Sequence, residues 1–186
     1  MPKNWKKPVK MKRVDTYSLV LIALFAAILS VLSILPIPIV FLGVPMTLQT
    51  FAVAFCGFLL GWKRGLASVG IYLLLGSIGV PVFSGMRGGV QQFLGPTGGF
   101  LYGFLLMVLL CGLIPTRVKP AFQWVFGILC GIAGLCLCHA CGVIHLAAVA
   151  HVSVGKAILG ASLPYLPKDL VSVILAFALR KRIKQI

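Results

Sequence analysis

The sequence has very few charged residues, and acidic residues are almost missing. Aspartate and glutamate together occur only twice in 186 residues, charged residues make up 10% of the chain, and 60% of it is hydrophobic. With a mean hydropathy of +1.10, this composition lies outside the range of soluble domains. The chain is therefore predicted to lie in a lipid bilayer.

The sequence also lacks the motifs of several enzyme classes. Gly155-Lys156 is followed by Ala157, so there is no phosphate-binding loop, and we predict that the chain does not hydrolyse ATP. The six cysteines lie in apolar stretches, and disulfides are not expected. We predict that the protein is not an enzyme and holds no cofactor or metal.

Apolar runs between helix breakers predict six membrane helices. A spanning helix needs about 20 mostly apolar residues, because the hydrocarbon core is about 30 Å thick. The predicted helices 1 to 6 cover residues 17–35, 45–62, 66–80, 97–114, 122–143 and 167–180. The stretch 145–161 fits either a longer helix or a loop. The predicted fold class is an all-α integral membrane protein, a six-helix bundle over residues 17–186 that follows a basic cytoplasmic segment at 1–16.

The basic residues predict the orientation. Six of the 17 lysines and arginines lie before residue 14, and further groups lie at 63–64, 117–119 and 180–184. These segments alternate with segments poor in positive charge. Because cytoplasmic loops carry the excess of lysine and arginine, both termini are expected in the cytoplasm of a multi-pass plasma-membrane protein. The end clusters are expected to contact membrane lipids rather than nucleic acid.

A few ionisable residues fall on the predicted outer side of the membrane, where they do not contribute to the cytoplasmic excess of positive charge. They are Arg87, Lys156 and Lys168, with Asp169 beside the last. Such groups are costly near a membrane unless they are paired or face a cavity. We interpret Lys156 as an ordinary interfacial residue and predict functional roles for Arg87 and Asp169.

The segment between predicted helices 3 and 4 cannot form a regular helix, since residues 79–99 contain seven glycines and two prolines. The segment is nevertheless apolar, with Phe83 and Phe93 in it. It is predicted to be a re-entrant or capping loop that lines a cavity. Thr47 and Gln49, at the start of predicted helix 2, could orient a ligand there or join helices.

Three motifs in order carry a family resemblance: Val-Pro-Met-Thr-Leu-Gln-Thr at 44–50, Gly-Val-Pro-Val-Phe at 79–83 and Leu-Gly-Pro-Thr-Gly-Gly-Phe at 94–100. With Pro-Lys-Asp at 167–169, the chain from about residue 17 to its end resembles the BioY family, the biotin-specific substrate-binding subunits of energy-coupling-factor (ECF) transporters. The resemblance implies an outward cavity for biotin. The predicted ligand-binding residues are Gln49, Phe83, Arg87, Gln91, Tyr165, Lys168, Asp169 and Ser172.

Within that resemblance, Asp169 would accept a hydrogen bond from the ureido group of biotin, and Arg87 would hold its carboxylate. Two positions depart from the family pattern. Relatives often carry a lysine where this chain has Ser172, and some carry an arginine where it has Leu101. We hypothesise that Arg87 replaces the missing arginine and that Lys168 partly replaces the missing lysine.

The resemblance also implies partners. Import against a gradient would need ATPase subunits and the coupling subunit EcfT. Ala23 and Ala27 form a small-residue pattern on predicted helix 1, of the kind that contacts the coupling subunit in this class of protein.

Two alternatives stay open. Cys138, Cys141 and His145 fall on one face of predicted helix 5, which also carries His139, and could bind a soft metal or serve thiol chemistry. The chain could also be a self-sufficient small-solute carrier, although no inverted repeat is visible.

Overall fold

The computed structural model describes residues 15–35, 37–41, 44–115 and 119–183 of the chain. Most of the predicted N-terminal segment, residues 1–14, lies outside the described residues. The elements are α1 (Thr16–Ile34), β1 (Ile37–Phe41), β2 (Val44–Met46), α2 (Gln49–Ser77), α3 (Gln91–Leu94), α4 (Gly98–Gly112), α5 (Pro120–Val149), α6 (Val154–Ala161) and α7 (Leu166–Ile183).

Several helices have the length and composition of membrane spans. Among the described residues, three helices are long and apolar enough to cross a membrane: α1, α2 and most of α5. Helices α6 and α7 are long and apolar enough only when they are taken together, and they are bent by 57° relative to each other. Helix α4 is equally apolar but has only 15 residues. The predicted class, a helical multi-pass membrane protein, is therefore confirmed.

Helix α2 folds back on itself at Gly61. Gly61 has φ 77° and ψ 171°, values that interrupt a helix and that glycine adopts easily. Gln49 Nε2 donates a hydrogen bond of 2.7 Å to the hydroxyl of Tyr72. In a straight helix these residues would lie about 35 Å apart. The arms 49–60 and 62–77 are therefore antiparallel, and they correspond to predicted helices 2 and 3.

The predicted start of helix 2 at residue 45 is wrong. Val44–Met46 instead forms β2, which pairs antiparallel with β1 and matches Ile37 with Met46. Proline has no backbone N–H, which disfavours a helical hydrogen bond at Pro45 but is tolerated in an edge strand. Helix α2 begins at Gln49, whose backbone N–H donates to the Thr47 hydroxyl oxygen at 3.3 Å.

The stretch 145–161 contains both a helix continuation and a turn. Helix α5 runs on to Val149, and His151 then takes a positive φ of 51°. The Ser153 side chain accepts a hydrogen bond from the Lys156 N–H and so caps α6. Short α6 and the turn after it lead the chain into α7.

The helices pack around one buried apolar core. Helix α4 lies against α2 and α5, and α7 lies against the same two helices. Large fully buried side chains come from every long helix, among them Leu29, Tyr72, Met107, Leu135 and Phe177. A smaller cluster joins β2 and α5 to α6 through Met46, Leu146 and Ala161. The two clusters hold the elements that form the cavity described below.

Close contact between α4 and α5 depends on Gly103. A Cβ atom at this position would lie 2.7 Å from the Cα of Cys138, so the two backbones touch. We expect Gly103→Ala to destabilise the protein by about 1–3 kcal/mol through overpacking. Gly70→Ala is the control, since a Cβ there meets nothing within 4 Å and alanine favours a helix. Thermal unfolding in detergent should show a lower Tm for the first variant alone; equal Tm values would contradict this packing.

Candidate functional site

A cavity lies where β2, the loop 79–97, α4, α5 and α7 meet. Its volume is about 70 Å³. Its apolar wall comes chiefly from Phe83, Phe100, Leu101, Phe104 and Tyr165, and its polar lining includes Thr47, Gln49, Thr50, Arg87, Gln92, His139, Lys168 and Asp169. The combination of aromatic walls with a few converging polar groups is typical of small-molecule sites.

Asp169 forms the polar centre of the cavity. It lies in the first turn of α7 and is 3% exposed. Its Oδ1 forms an ion pair with the Lys168 ammonium, and its Oδ2 lies 3.2 Å from His139 Nε2. Lys168 Nζ also donates to the Thr47 carbonyl oxygen at 2.6 Å. The buried carboxylate is thus held by a cation and an imidazole, as a charge in a low-dielectric site requires.

A second polar group lines the cavity from the start of α2. The Thr47 hydroxyl donates to Gln49 Oε1 at 2.8 Å, and Gln49 Nε2 donates to Tyr72. The Gln49 amide has two N–H groups, and among the described residues one of them has no hydrogen-bond partner. Tyr165 is fixed in a similar way, because its hydroxyl donates to the Val44 carbonyl oxygen.

The loop between α2 and α4 brings Phe83 and Arg87 to the cavity together. Their backbones pair in both directions, with N···O distances of 2.9 and 3.2 Å. The turn between them uses positive φ values at Gly85 and Met86. Phe83 is buried and packs edge-on against Phe93, whereas Arg87 is exposed. Among the described residues, no hydrogen bond or ion pair engages the Arg87 guanidinium.

Six of the eight predicted ligand-binding residues line the cavity: Gln49, Phe83, Arg87, Tyr165, Lys168 and Asp169. Two do not. Gln91 is exposed and its amide donates to the Gly88 carbonyl oxygen at 3.0 Å, while its neighbour Gln92 lines the cavity. Ser172 is buried in α7 outside the cavity lining.

Sequence reasoning missed His139 as a cavity residue. It stands among cysteines on α5, where the pattern raised a metal site instead. In the structure His139 contacts Asp169 through Nε2 and the Ser162 hydroxyl through Nδ1, at 3.2 and 2.9 Å. Only the packing of α5 against α7 brings these three residues together. No sequence spacing could have indicated it.

Two other residues of the Cys/His cluster on α5 have backbone hydrogen-bond partners. His145 Nε2 lies 3.0 Å from the Gly95 carbonyl oxygen, and Cys138 Sγ lies 3.8 Å from that of Phe100. Cys138 and Cys141 have Cys-x-x-Cys spacing, yet both are free thiols. Within the described ranges, no group of three His, Cys, Asp or Glu side chains is placed to hold a metal ion. Lys156 is exposed at α6, away from the cavity.

A small helical membrane bundle that surrounds a polar-centred cavity defines a membrane-embedded binding protein for a small solute. The sequence profile of the BioY family matches residues 6–186. The chain belongs to the BioY family. The match begins nearer the N-terminus than residue 17, where the motif resemblance was expected to start.

Individual relatives cover most of the chain. The biotin transporter BioY of Rhizobium etli is 38% identical over 176 residues, which cover 91% of this chain and 94% of the relative. That of Thermotoga maritima is 38% identical over 143 residues, covering 77% and 82%. A crystal structure of the S-component for biotin from an ECF-type ABC transporter matches with a TM-score of 0.80 and 31% identity, covering 91% of this chain and 92% of that one.

Proposed function

We propose that this protein binds biotin and is the biotin-specific S component of an ECF transporter. The observation that carries the proposal is the buried Asp169 at the centre of an aromatic-walled cavity, in a chain that belongs to the BioY family. The relatives are named a biotin transporter and an S-component for biotin, and these names support the same ligand.

The cavity offers a partner for each end of biotin. The ureido ring has one N–H donor on each side of its carbonyl, and one of these suits the buried carboxylate of Asp169. Lys168 has three N–H donors and uses one on Thr47 and one on Asp169, so the third can meet the ureido oxygen. Arg87, exposed and lining the cavity, can hold the carboxylate of biotin with two parallel N–H bonds.

The two departures from the family pattern fit a redistribution of cations, in which Arg87 and Lys168 replace the arginine and the lysine that relatives carry elsewhere. Leu101 lines the cavity and is 4% exposed, so the arginine found there in some relatives would reach the ligand. In this chain the position is apolar, and Arg87 enters the cavity from the loop instead. Lys168 forms an ion pair with Asp169, which supports the hypothesis that it partly replaces the lysine missing at Ser172.

The loop 79–97 is proposed to cap the cavity and to move when biotin enters. The cavity of about 70 Å³ is smaller than the roughly 300–1,000 Å³ of sites that hold drug-sized ligands. Gly79, Gly85 and Gly89 all take positive φ values, and they divide the loop at points where the backbone can rotate.

Six spans with both termini in the cytoplasm remain our proposal for the topology. The two arms of α2 supply two spans, and α1, α4, α5 and α7 supply the others. The basic last turn of α7, Arg180 to Arg182, lies at the end of the bundle opposite Asp169 on the same helix. Positive charge at that end and the buried acid at the other support a cytoplasmic C-terminus and an outward cavity.

The proposed contact with EcfT lies on the outer face of α1. Ala23 and Ala27 are exposed, while Phe25, Ala26 and Leu29 of the same helix are buried against the bundle. The small side chains therefore face away from the protein and would let a partner helix approach closely. Uptake is proposed to require this coupling subunit and the ATPase subunits.

Uptake in liposomes tests that requirement. The purified chain alone should bind biotin without accumulating it, and the chain with coupling and ATPase subunits should accumulate biotin only with ATP. Concentrative uptake by the chain alone would favour the self-sufficient carrier.

Removing the Arg87 guanidinium should weaken biotin binding through one end of the ligand only. We expect Arg87→Gln to lower the affinity for biotin about 10-fold or more, the effect of one charge-assisted contact. The affinity for biotinol, in which an alcohol replaces the carboxylate, should stay nearly unchanged. Lys156→Gln is the control, because it removes an exposed charge away from the cavity. Near-normal biotin binding by the Arg87 variant would contradict the redistribution of cations.

A further inference from the structure

We propose that His139 is a positioning residue that orients the Asp169 carboxylate and so sets the selectivity of the cavity for a cyclic urea. The inference rests on the proposed function, because it concerns how the same site recognises the ureido ring. With His139, a residue of α5 takes part in biotin recognition together with residues of α7 and of the loop 79–97.

His139 is part of a buried chain of three side chains. His139, Ser162 and Asp169 are 7%, 7% and 3% exposed. The imidazole joins the Ser162 hydroxyl to the Asp169 carboxylate. The ring of Phe100 packs edge-on against the imidazole, with 5.9 Å between the two ring centroids. Because α5, the α6–α7 turn and α7 each supply one member, the chain fixes the imidazole relative to the start of α7.

The chemistry of these groups fixes the imidazole tautomer. A carboxylate oxygen only accepts hydrogen bonds, so His139 Nε2 must carry the proton it shares with Asp169 Oδ2. In the neutral imidazole, Nδ1 then accepts a hydrogen bond from the Ser162 hydroxyl. The carboxylate thus selects the tautomer that donates to it, and the Ser162 hydroxyl satisfies the other ring nitrogen.

Contacts from different directions restrain rotation of the Asp169 carboxylate. His139 engages Oδ2 and Lys168 engages Oδ1. An ionised carboxylate has about four acceptor positions, so acceptor capacity remains for the ligand. In a cyclic urea each N–H lies beside the carbonyl group, and the two N–H groups point to opposite sides of the ring. A fixed Asp169 oxygen next to the Lys168 ammonium therefore matches one N–H together with the adjacent carbonyl oxygen. A carboxylate free to rotate would lose this geometric advantage.

The role of His139 can be separated from a merely structural one by comparing ligands. We expect His139→Ala to bind biotin about 30-fold more weakly, the factor for one hydrogen bond to a charged group. An analogue whose ureido ring is opened to a diamine should be affected much less, so the preference for biotin over this analogue should shrink. The ratio of biotin to biotinol affinity, which reports the carboxylate end, should not change.

Conservative variants complete the test. His139→Gln can place an amide N–H near the position of Nε2 and should recover most of the affinity, whereas His139→Asn is too short and should not. His145→Gln is the control, since His145 lies on the same helix and, within the part of the chain that the structure describes, its hydrogen-bond partner is the Gly95 carbonyl oxygen. If the alanine variant does not fold, the biotin affinities of the Gln and Asn variants are compared instead, and a higher affinity of the Gln variant supports the inference.

Two results would overturn the inference. The first is that the His139→Ala and His139→Asn variants both bind biotin within about 3-fold of the affinity of the unaltered protein. If the alanine variant does not fold, the same result for His139→Asn alone is sufficient. The other is an equal loss for biotin and for the ring-opened analogue. Absence of biotin binding by the unaltered protein would instead defeat the proposed function.

Discussion

Asp169→Asn is expected to abolish high-affinity biotin binding, with a loss of about 100-fold or more. The substitution keeps the size of the side chain and removes its charge. The ureido N–H would then lose its charged acceptor, and a hydrogen bond to a charged group contributes about 1.5–3 kcal/mol. Lys168 would also lose the counter-ion that fixes it beside the ligand. Equilibrium binding of labelled biotin to the purified variant measures the effect.

The matched control is Asp15→Asn, which changes the other acid of the chain in the same way. Asp15 is exposed and caps α1 through the Tyr17 N–H, a role that asparagine also fills. Its biotin affinity should equal that of the unaltered protein. If the Asp169 variant kept more than about a third of the affinity, the buried carboxylate would not be the recognition centre.

Ala27→Phe is expected to lower ATP-driven uptake about 10-fold or more while biotin binding stays normal. Ala27 lies on the exposed face of α1, and an aromatic side chain there would prevent close approach of a partner helix. It points away from the core, so the cavity should be undisturbed. Uptake into cells that contain the complete transporter, together with binding to the purified variant, separates the two effects.

Ala133→Phe provides the comparison for this variant. Ala133 is an exposed alanine on α5, which lies on the far side of α2 and α4 from α1 in the order of packing. Uptake should be retained there. If both variants lowered uptake equally, or if Ala27→Phe also lost biotin binding, the assignment of the α1 face to the coupling subunit would be wrong.

The long apolar runs predicted most of the helices, because burial in lipid requires a continuous apolar segment whatever the tertiary contacts. The exceptions have local causes. The β1–β2 hairpin occupies a proline-containing segment that is too short and too apolar to be told from a helix start. The sequence predicts a break between helices 2 and 3 at residues 63–65, whereas the structure has it at Gly61. The antiparallel arrangement of the two arms is seen only through contacts such as Gln49 with Tyr72.

The charged residues of the candidate site could be predicted from the sequence. Asp169, Lys168 and Arg87 are conspicuous because ionisable residues are rare in this chain, and all three line the cavity. Neutral residues gave a weaker signal. Gln91 and Gln92 are adjacent and chemically identical, and only the backbone of the short helix α3 determines which one faces the cavity. His139 was hidden for a similar reason, since its partners lie 23 and 30 residues further along the chain.

Labelled-biotin binding to the purified, full-length protein in detergent tests the central claim most directly. The account predicts saturable binding of one biotin per chain, displaced by unlabelled biotin and only poorly by analogues that lack either the ureido ring or the carboxylate. Absence of saturable binding, or equal displacement by the ring-opened analogue, would contradict it.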